Sequence, residues 1–432
     1  MKIVLIEPAP TEANVYSKIH MPLLGPLYLG TILKNRGHDV QIYNENIFTP
    51  DYSGLDADLI GISILTPTAK RGYEIARKFP REKVIIGGVH ASLLPSEAIQ
   101  FARQVVIGEA EEVIADVVEG RIKDKFVQGR PVEDLDSLPQ PDFSLIKGFK
   151  LPAMIMPVST SRGCPFDCSF CSVTKVFGRK YRFRSAENVI QELSSLKSSE
   201  IFFCDDNFAA NPPRTRRLLD LMSKNKVRRW SCQVRCDVAE DDELLRLMSQ
   251  AGCRVVCVGF ESVNPKTLHA YQKKQTLDDI INAIRSFRRK RIRIHGMFVL
   301  GADEDSAKTI WDTLRFAIKQ KIDTIQMMIL TPLPGTKVFE ELKSQKRIFS
   351  YDWSLYDGQH IVFKPKLLSA KELQLNIIKA YGKFYSLSNS LLLLLKLGMR
   401  NAMFRLIGYS IVKEWIERNG KMHWLLQVES GL

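Results

Sequence analysis

The chain has 432 residues and a formal net charge of +14, with 45% hydrophobic and 25% charged residues. That length exceeds one ordinary core and asks for two or three domains of a soluble globular protein. Eight cysteines, three of them clustered, argue against a disulfide framework and for a reducing cytoplasm, where thiolates hold metal. The charge admits an acidic partner without choosing one.

The opening Met1-Lys2-Ile3-Val4-Leu5-Ile6-Glu7 reads as a strand and lacks the long apolar core of a signal peptide. Strands at 2–6, 40–43, 59–64, 83–86 and 104–107 alternate with helical stretches, and the helix at 23–36 stops at Gly37. Such β-α repetition predicts a Rossmann-like domain over residues 1–140, with a parallel sheet covered on both faces. Ligands of these sheets sit at the carboxyl ends of the strands. The loops there carry Ser63, Leu65, Thr66, Gly87, Gly88, Gly108 and Glu109. No Gly-x-Gly-x-x-Gly follows the first strand, so a nicotinamide or flavin site is not expected.

A proline- and aspartate-rich stretch, 132–143, marks a break, and the connection is placed at 141–150. Over 151–355 strands are expected at 153–157, 200–203, 229–234, 255–259, 294–300 and 324–330. Helices are expected between them at 186–196, 213–224, 242–251, 277–290 and 306–320. Six β-α units make a partial (β/α)6 barrel, whose chemistry collects at the strands' carboxyl ends. The loop after the first of these strands carries Cys164, Cys168 and Cys171, spaced C-x3-C-x2-C. Thiolates that close together hold one face of an iron–sulfur cube, and three ligands for four irons leave one iron open. The alternatives are a zinc site or a closed cluster completed by another cysteine such as Cys204. Cys232, Cys236, Cys253 and Cys257 lie in apolar, strand-like runs and read as core residues.

Further polar groups end the later strands: Asp205 and Asp206, then Gln233 and Arg235, then Glu261. The acids otherwise read as helix caps, and Arg235 as half of a rim salt bridge. The basic runs Arg214, Arg216, Arg217 and Arg285 to Arg293 read as solvated helix faces, and no nucleic-acid partner is expected. Residues 356–432 form a helical, basic region, with eleven Lys or Arg against four Glu from residue 361 on. Its run Leu391 to Leu395 is broken by Lys396, Arg400 and Arg405, so no spanning helix is expected. It reads as a cap on the barrel, with peripheral contact to anionic lipid as the alternative.

The cysteine spacing, with Phe170 just before the last thiol, resembles the radical S-adenosylmethionine (SAM) superfamily. Ser63-x-Leu65, Gly87-Gly88, the segment 22–30 through Val40, and Thr331-Pro332-Leu333-Pro334-Gly335-Thr336 resemble its subgroup with a cobalamin-binding domain. The resemblance implies a [4Fe-4S] cluster on the three cysteines. It implies SAM at the open iron, contacted by Phe170, Asp205, Asp206, Gln233, Arg235 and Glu261. It implies cobalamin against Ser63, Leu65, Thr66, Gly87, Gly88, Gly108 and Glu109. It further implies a flavodoxin or ferredoxin reductant, cleavage of SAM to a 5′-deoxyadenosyl radical, and C-methylation of an unactivated carbon in a small-molecule or lipid-like substrate. Cyclisation, coupling or rearrangement of a tetrapyrrole, isoprenoid or lipid by the same radical is the alternative. A non-catalytic corrinoid or iron–sulfur carrier is another. Two departures stand out. The subgroup's D-x-H-x-x-G cobalt-ligand motif is absent, so neither His20 nor His38 is carried over as a ligand. Gly301-Ala302-Asp303-Glu304-Asp305 replaces a Pro-Gly-Glu loop. Residues 1–140 hold no cysteine, whereas the tRNA-methylthiolating relatives carry three there.

Overall fold

A computed structural model of the chain describes residues 1–12, 15, 21–151, 155–196, 200–227, 229–390, 399–419 and 425. His20 and the leucine run 391–395 lie outside them.

The first sheet contains β1 (Lys2–Glu7), β2 (Asp39–Asn44), β3 (Leu59–Ser63), β4 (Val84–Gly87), β5 (Gln104–Ile107) and β6 (Phe126–Gln128). All neighbours are parallel, in the order β2-β1-β3-β4-β5-β6. Alternate residues of β1 feed two cores, because successive side chains leave opposite faces of a strand. Ile3 and Leu5 pack with Leu27 and Leu33 of the helix Leu24–Asn35. Val4 and Ile6 pack with Ile75 and Ala76 at the end of the helix Ala69–Ala76. The strand order reverses between β1 and β3, and ligands of doubly wound sheets bind at that switch point.

The expected connection at 141–150 is corrected. Phe143, Leu145 and Ile146 are buried in the first core, and the Lys147 amide donates to Ile42 O (2.9 Å) on the edge of β2. The Asp142 amide also donates to Thr31 Oγ1 at 3.0 Å. The stretch therefore closes a sheet edge that would otherwise offer unpaired backbone groups.

The second sheet begins at β7 (Met156–Val158); residues 153 and 154 of the expected strand lie outside the described residues. It continues through β10 (Ile201–Phe203), β11 (Trp230–Val234), β12 (Cys253–Glu261), β13 (Arg293–Leu300) and β14 (Thr324–Ile329). These strands are parallel and stand in chain order, a barrel winding left open between β7 and β14. The helices follow the sequence boundaries closely because their caps are written in the chain. Asn211 accepts from the Arg214 amide, and Thr276 and Asp279 form a capping box. A short antiparallel ribbon, β8 (Ser161–Arg162) with β9 (Arg182–Phe183), was not anticipated.

The C-terminal region caps the barrel. On and just beyond the helix Ala370–Phe384, Tyr381 OH accepts from Met327 N (2.7 Å), and Tyr385 OH accepts from Ile325 N (3.0 Å) and donates to Ile325 O (2.7 Å). Side-chain hydroxyls thus stand in for a seventh strand along the edge of β14. Arg405, in the helix Met399–Asn419, donates to Ile322 O (2.8 Å) and stacks over Phe384. Tyr385→Phe leaves both Ile325 groups buried and unpaired, so unfolding stability is expected to fall by about 2 kcal/mol, read from the urea midpoint. No helix among the described residues is long and apolar enough to cross a membrane.

Candidate functional site

The ribbon explains how the cysteine loop is held. Ser161 pairs with Phe183 and Arg162 with Arg182, so the neck of the loop 163–181 is closed by β8 and β9. Gly163 takes φ +84°, and a Cβ there would meet Lys180 O at 2.5 Å, so only glycine lets the two sides of the neck approach. Farther along, the Ser169 amide donates to Tyr271 O (3.3 Å), and Val338 N donates to Ser169 O (3.2 Å). The Thr331–Thr336 loop that resembles the subgroup thus leads into the element that seats the cysteine loop. Phe170 packs edge-on against Tyr271 (4.9 Å between centroids), which makes it a wedge behind the thiols.

Asp205 corrects a sequence expectation. It is fully buried and accepts from Thr160 N (2.7 Å), Thr160 Oγ1 (2.5 Å) and Ser161 N (2.8 Å). It ties the end of β10 to the chain entering the cysteine loop and leaves no oxygen for a ligand. Its neighbour Asp206 lines the interdomain cavity, and burial, then repulsion from Asp205, pushes its carboxyl up to about 6.

The three loop thiols are free, and burial pushes Cys164 up and Cys171 up to about 12. Cys171 feels Cys168, Asp206 and Cys164, and Cys164 feels Asp206 and Cys168. Loading a metal cluster must therefore displace protons. Cys204, the alternative fourth ligand, donates to Phe202 O (3.6 Å), and its charged neighbours are Asp205, Asp206 and Glu192.

The remaining strand-end residues are partly committed. Arg235 lies over the Phe166 ring at 3.6 Å and donates to Lys273 O at 2.7 Å. The Gln233 carbonyl accepts from Phe208 N (3.0 Å). Glu261 takes φ +61° at a bulge of β12, and its Oε1 lies 2.7 Å from Lys273 Nζ in a buried pair. Sequence reasoning missed Lys273 because it sits in a polar run, Gln272-Lys273-Lys274-Gln275, that reads as a solvated turn. Buried, its ammonium pairs with Glu261 and lies within electrostatic reach of Cys168. Arg214 also departs from its expected solvated face: it is buried and donates to Thr160 O (3.0 Å).

A cavity of roughly 380 Å³ joins the two halves. One wall is Ser63, Leu65, Gly87, Gly88, Gly108 and Glu109 at the ends of β3, β4 and β5; the other includes Arg162, Phe177, Cys204 and Asp206. Gly25, which also lines the cavity, faces open space, since a Cβ there would meet no atom within 4 Å; a Cβ at Gly87 would touch Val106 at 3.7 Å, and one at Gly88 would meet Ile64 O at 2.7 Å, so backbone forms the surface at these glycines. It fits the close approach of a large planar cofactor and its tail. Ser92, unnoticed in the sequence, braces the wall: it donates to Gly88 O (2.8 Å) and accepts from Gly108 N (2.9 Å).

One expected cofactor contact is corrected, and another is found already paired. Thr66 is buried against His90 (3.4 Å) and does not line the cavity. Glu109 lines it, but its carboxylate accepts from Arg162 (2.6 Å), Arg182 (3.0 Å) and Val132 N (3.2 Å). Burial alone would raise its pKa, yet the two guanidiniums hold it below the ordinary range.

Residues 158–317 match the Radical SAM superfamily, and residues 14–118 match the B12 binding domain. The chain is 30% identical over 405 residues to bacteriochlorophyllide d C-12(1)-methyltransferase of Chlorobaculum tepidum, covering 89% of this chain and 87% of that protein. It is 27% identical over 384 residues to the anaerobic magnesium-protoporphyrin IX monomethyl ester cyclase of Cereibacter sphaeroides, covering 77% of this chain and 60% of that one. Its fold matches the cobalamin-dependent SAM radical enzyme OxsB, solved with aqua-cobalamin and SAM, at a TM-score of 0.67 and 14% identity, over 100% of this chain and 81% of that one. The chain belongs to the radical SAM enzymes that carry a B12-binding domain, and its cofactors are a [4Fe-4S] cluster, SAM and cobalamin.

Proposed function

We propose that the chain methylates an unactivated carbon of an apolar small molecule of the tetrapyrrole kind. The observation that carries this reading is the single cavity bounded by the glycine-lined strand ends on one side and by Asp206, Cys204 and the segment after Cys171 on the other. A methyl carrier and a radical source on those two walls face one substrate space. When bound, the reduced cluster and SAM supply the radical, and cobalamin supplies the methyl group.

The chain's own residues do the positioning. Cys164, Cys168 and Cys171 hold the cluster. Asp206 takes the ammonium of SAM. Arg235 brings positive charge to the cysteine loop, which opposes but does not offset the burial that raises Cys164. Ser63, Leu65, Gly87, Gly88 and Gly108 receive cobalamin. The apolar lining, including Leu5, Met21, Leu24, Val106 and Ile114, excludes water from the reacting centre. The electron comes from a flavodoxin or ferredoxin.

The test is anaerobic turnover of the reconstituted protein with reductant, methyl-labelled SAM and bacteriochlorophyllide or a related tetrapyrrole. Label in the product together with 5′-deoxyadenosine supports methylation. Deoxyadenosine with an unlabelled, cyclised product moves the assignment to the second reading, which the cyclase relative favours.

Asp206 also gives a pH expectation. Its ionised form binds an ammonium, and the carboxyl is ionised only above about 6. SAM affinity is therefore expected to drop roughly tenfold between about pH 7.5 and pH 5. Asp206→Asn should give weak, pH-flat binding in the same equilibrium titration.

A further inference from the structure

Four buried charges sit where the two halves meet. Arg162 Nη1 lies 2.6 Å from Glu109 Oε2, and its Nη2 lies 2.6 Å from Glu111 Oε1. Arg182 pairs with both oxygens of Glu109 and donates to Val132 O at 2.6 Å. Their side chains are 3–11% exposed. Two guanidiniums and two carboxylates balance, and a buried set of this kind is stable only complete, because removing one member strands a charge.

Their positions give the set a second meaning. Glu109 and Glu111 follow Gly108 on the cavity wall, and both line the cavity, as do Arg162 and the Tyr28 ring that Arg162 lies over at 5.7 Å. Arg162 and Arg182 are the facing pair of the β8–β9 ribbon. Arg162 is two residues ahead of Cys164. One guanidinium thus touches the wall that receives cobalamin and the neck that aims the cluster. An aliphatic interface would glue the halves as well, but it would not fix the angle of the ribbon; the forked bonds of Arg162 to two separate carboxylates do.

We propose that Arg162, Arg182, Glu109 and Glu111 are positioning residues that couple occupancy of the cobalamin cavity to the order of the cysteine loop. This rests on the assignment of cluster and cobalamin given above. Cobalamin seated on the wall packs against the segment 108–111 and so fixes the backbone that carries Glu109 and Glu111. These fix the two arginines, and the arginines fix the neck of the loop. Linkage makes the effect reciprocal, so a loaded cluster must tighten cobalamin binding by the same factor.

The test compares hydroxocobalamin affinity of cluster-loaded and cluster-free protein by equilibrium dialysis, for the wild type, Glu111→Gln and Arg162→Met. The expected wild-type ratio is about fivefold or more, falling to about one in both variants while each still takes up iron and sulfide. Glu111→Gln keeps the shape and removes only a charge, so it decides the matter if Arg162→Met fails to fold. A wild-type ratio of one, with both cofactors bound, overturns the coupling and leaves the functional assignment standing. Variants that keep the wild-type ratio overturn the role of these four residues. A wild type that binds neither cofactor overturns the assignment beneath both.

Discussion

Cys168→Ala is expected to reduce bound iron and sulfide to background and to lower SAM cleavage at least about 100-fold. Substitutions one shell out from a metal commonly cost 10–100-fold, and here one of three ligands is removed. The loop has no spare: its remaining thiols are Cys164 and Cys171, and Cys204 is turned toward Phe202 O. The loss has an electrostatic side as well. The buried Lys273 ammonium pairs with Glu261 and also feels Cys168, so losing that thiol removes one source of the negative charge that favours it. Cys204→Ala is the control and should retain the cluster. Iron and sulfide analysis, electron paramagnetic resonance of the reduced protein and chromatography of 5′-deoxyadenosine measure the outcome. Loss of the cluster in Cys204→Ala would point instead to a closed four-cysteine cluster.

Gly88→Ala should damage the other wall and spare the cluster. Gly88 takes φ +95° and ψ −178°, a region open to glycine alone, and forcing another residue there costs about 1–3 kcal/mol. The added Cβ would also meet Ile64 O at 2.7 Å and Ile64 N at 2.8 Å. That strand end has little room to yield. Ile64 N donates to Gly87 O (3.0 Å), and His90 N donates to Ile64 O (3.1 Å). Cobalamin affinity is expected to fall by tenfold or more, and thermal stability of the first domain by about 2–4 kcal/mol. Gly87→Ala is the matched comparison: its Cβ meets Val106 at ordinary contact distance, 3.7 Å, so stability should change little. Cobalamin retention after gel filtration, beside circular dichroism melts, separates the two. Equal loss in both variants would refute the backbone argument.

Sequence alone determined the main strands and helices, because their signals are local, but not the short ribbon β8–β9 that closes the cysteine loop. Alternating apolar strands and capped helices place the helices Asp242–Gln250, Leu277–Arg289 and Ala307–Lys319 within one or two residues of where the structure has them. Three thiols within eight residues announce a metal loop whatever the fold around them. Ser63, Gly87, Gly88 and Gly108 were legible for the same reason: strand ends follow from periodicity, and ligands gather at strand ends.

Side-chain partners were decided by tertiary structure. Asp205 and Asp206 are adjacent and identical in type, yet one is spent on Thr160 and Ser161 and the other faces the cavity. Consecutive side chains diverge, and only the surrounding fold says which meets backbone donors. Glu109 reads as a free strand-end carboxylate until Arg162 and Arg182, more than fifty residues away, arrive to neutralise it. Lys273 reads as a surface residue until Glu261, on a bulge no periodicity predicts, draws it inside. Burial of a charge costs too much to occur without its counterpart, and that counterpart is chosen by contacts distant in sequence.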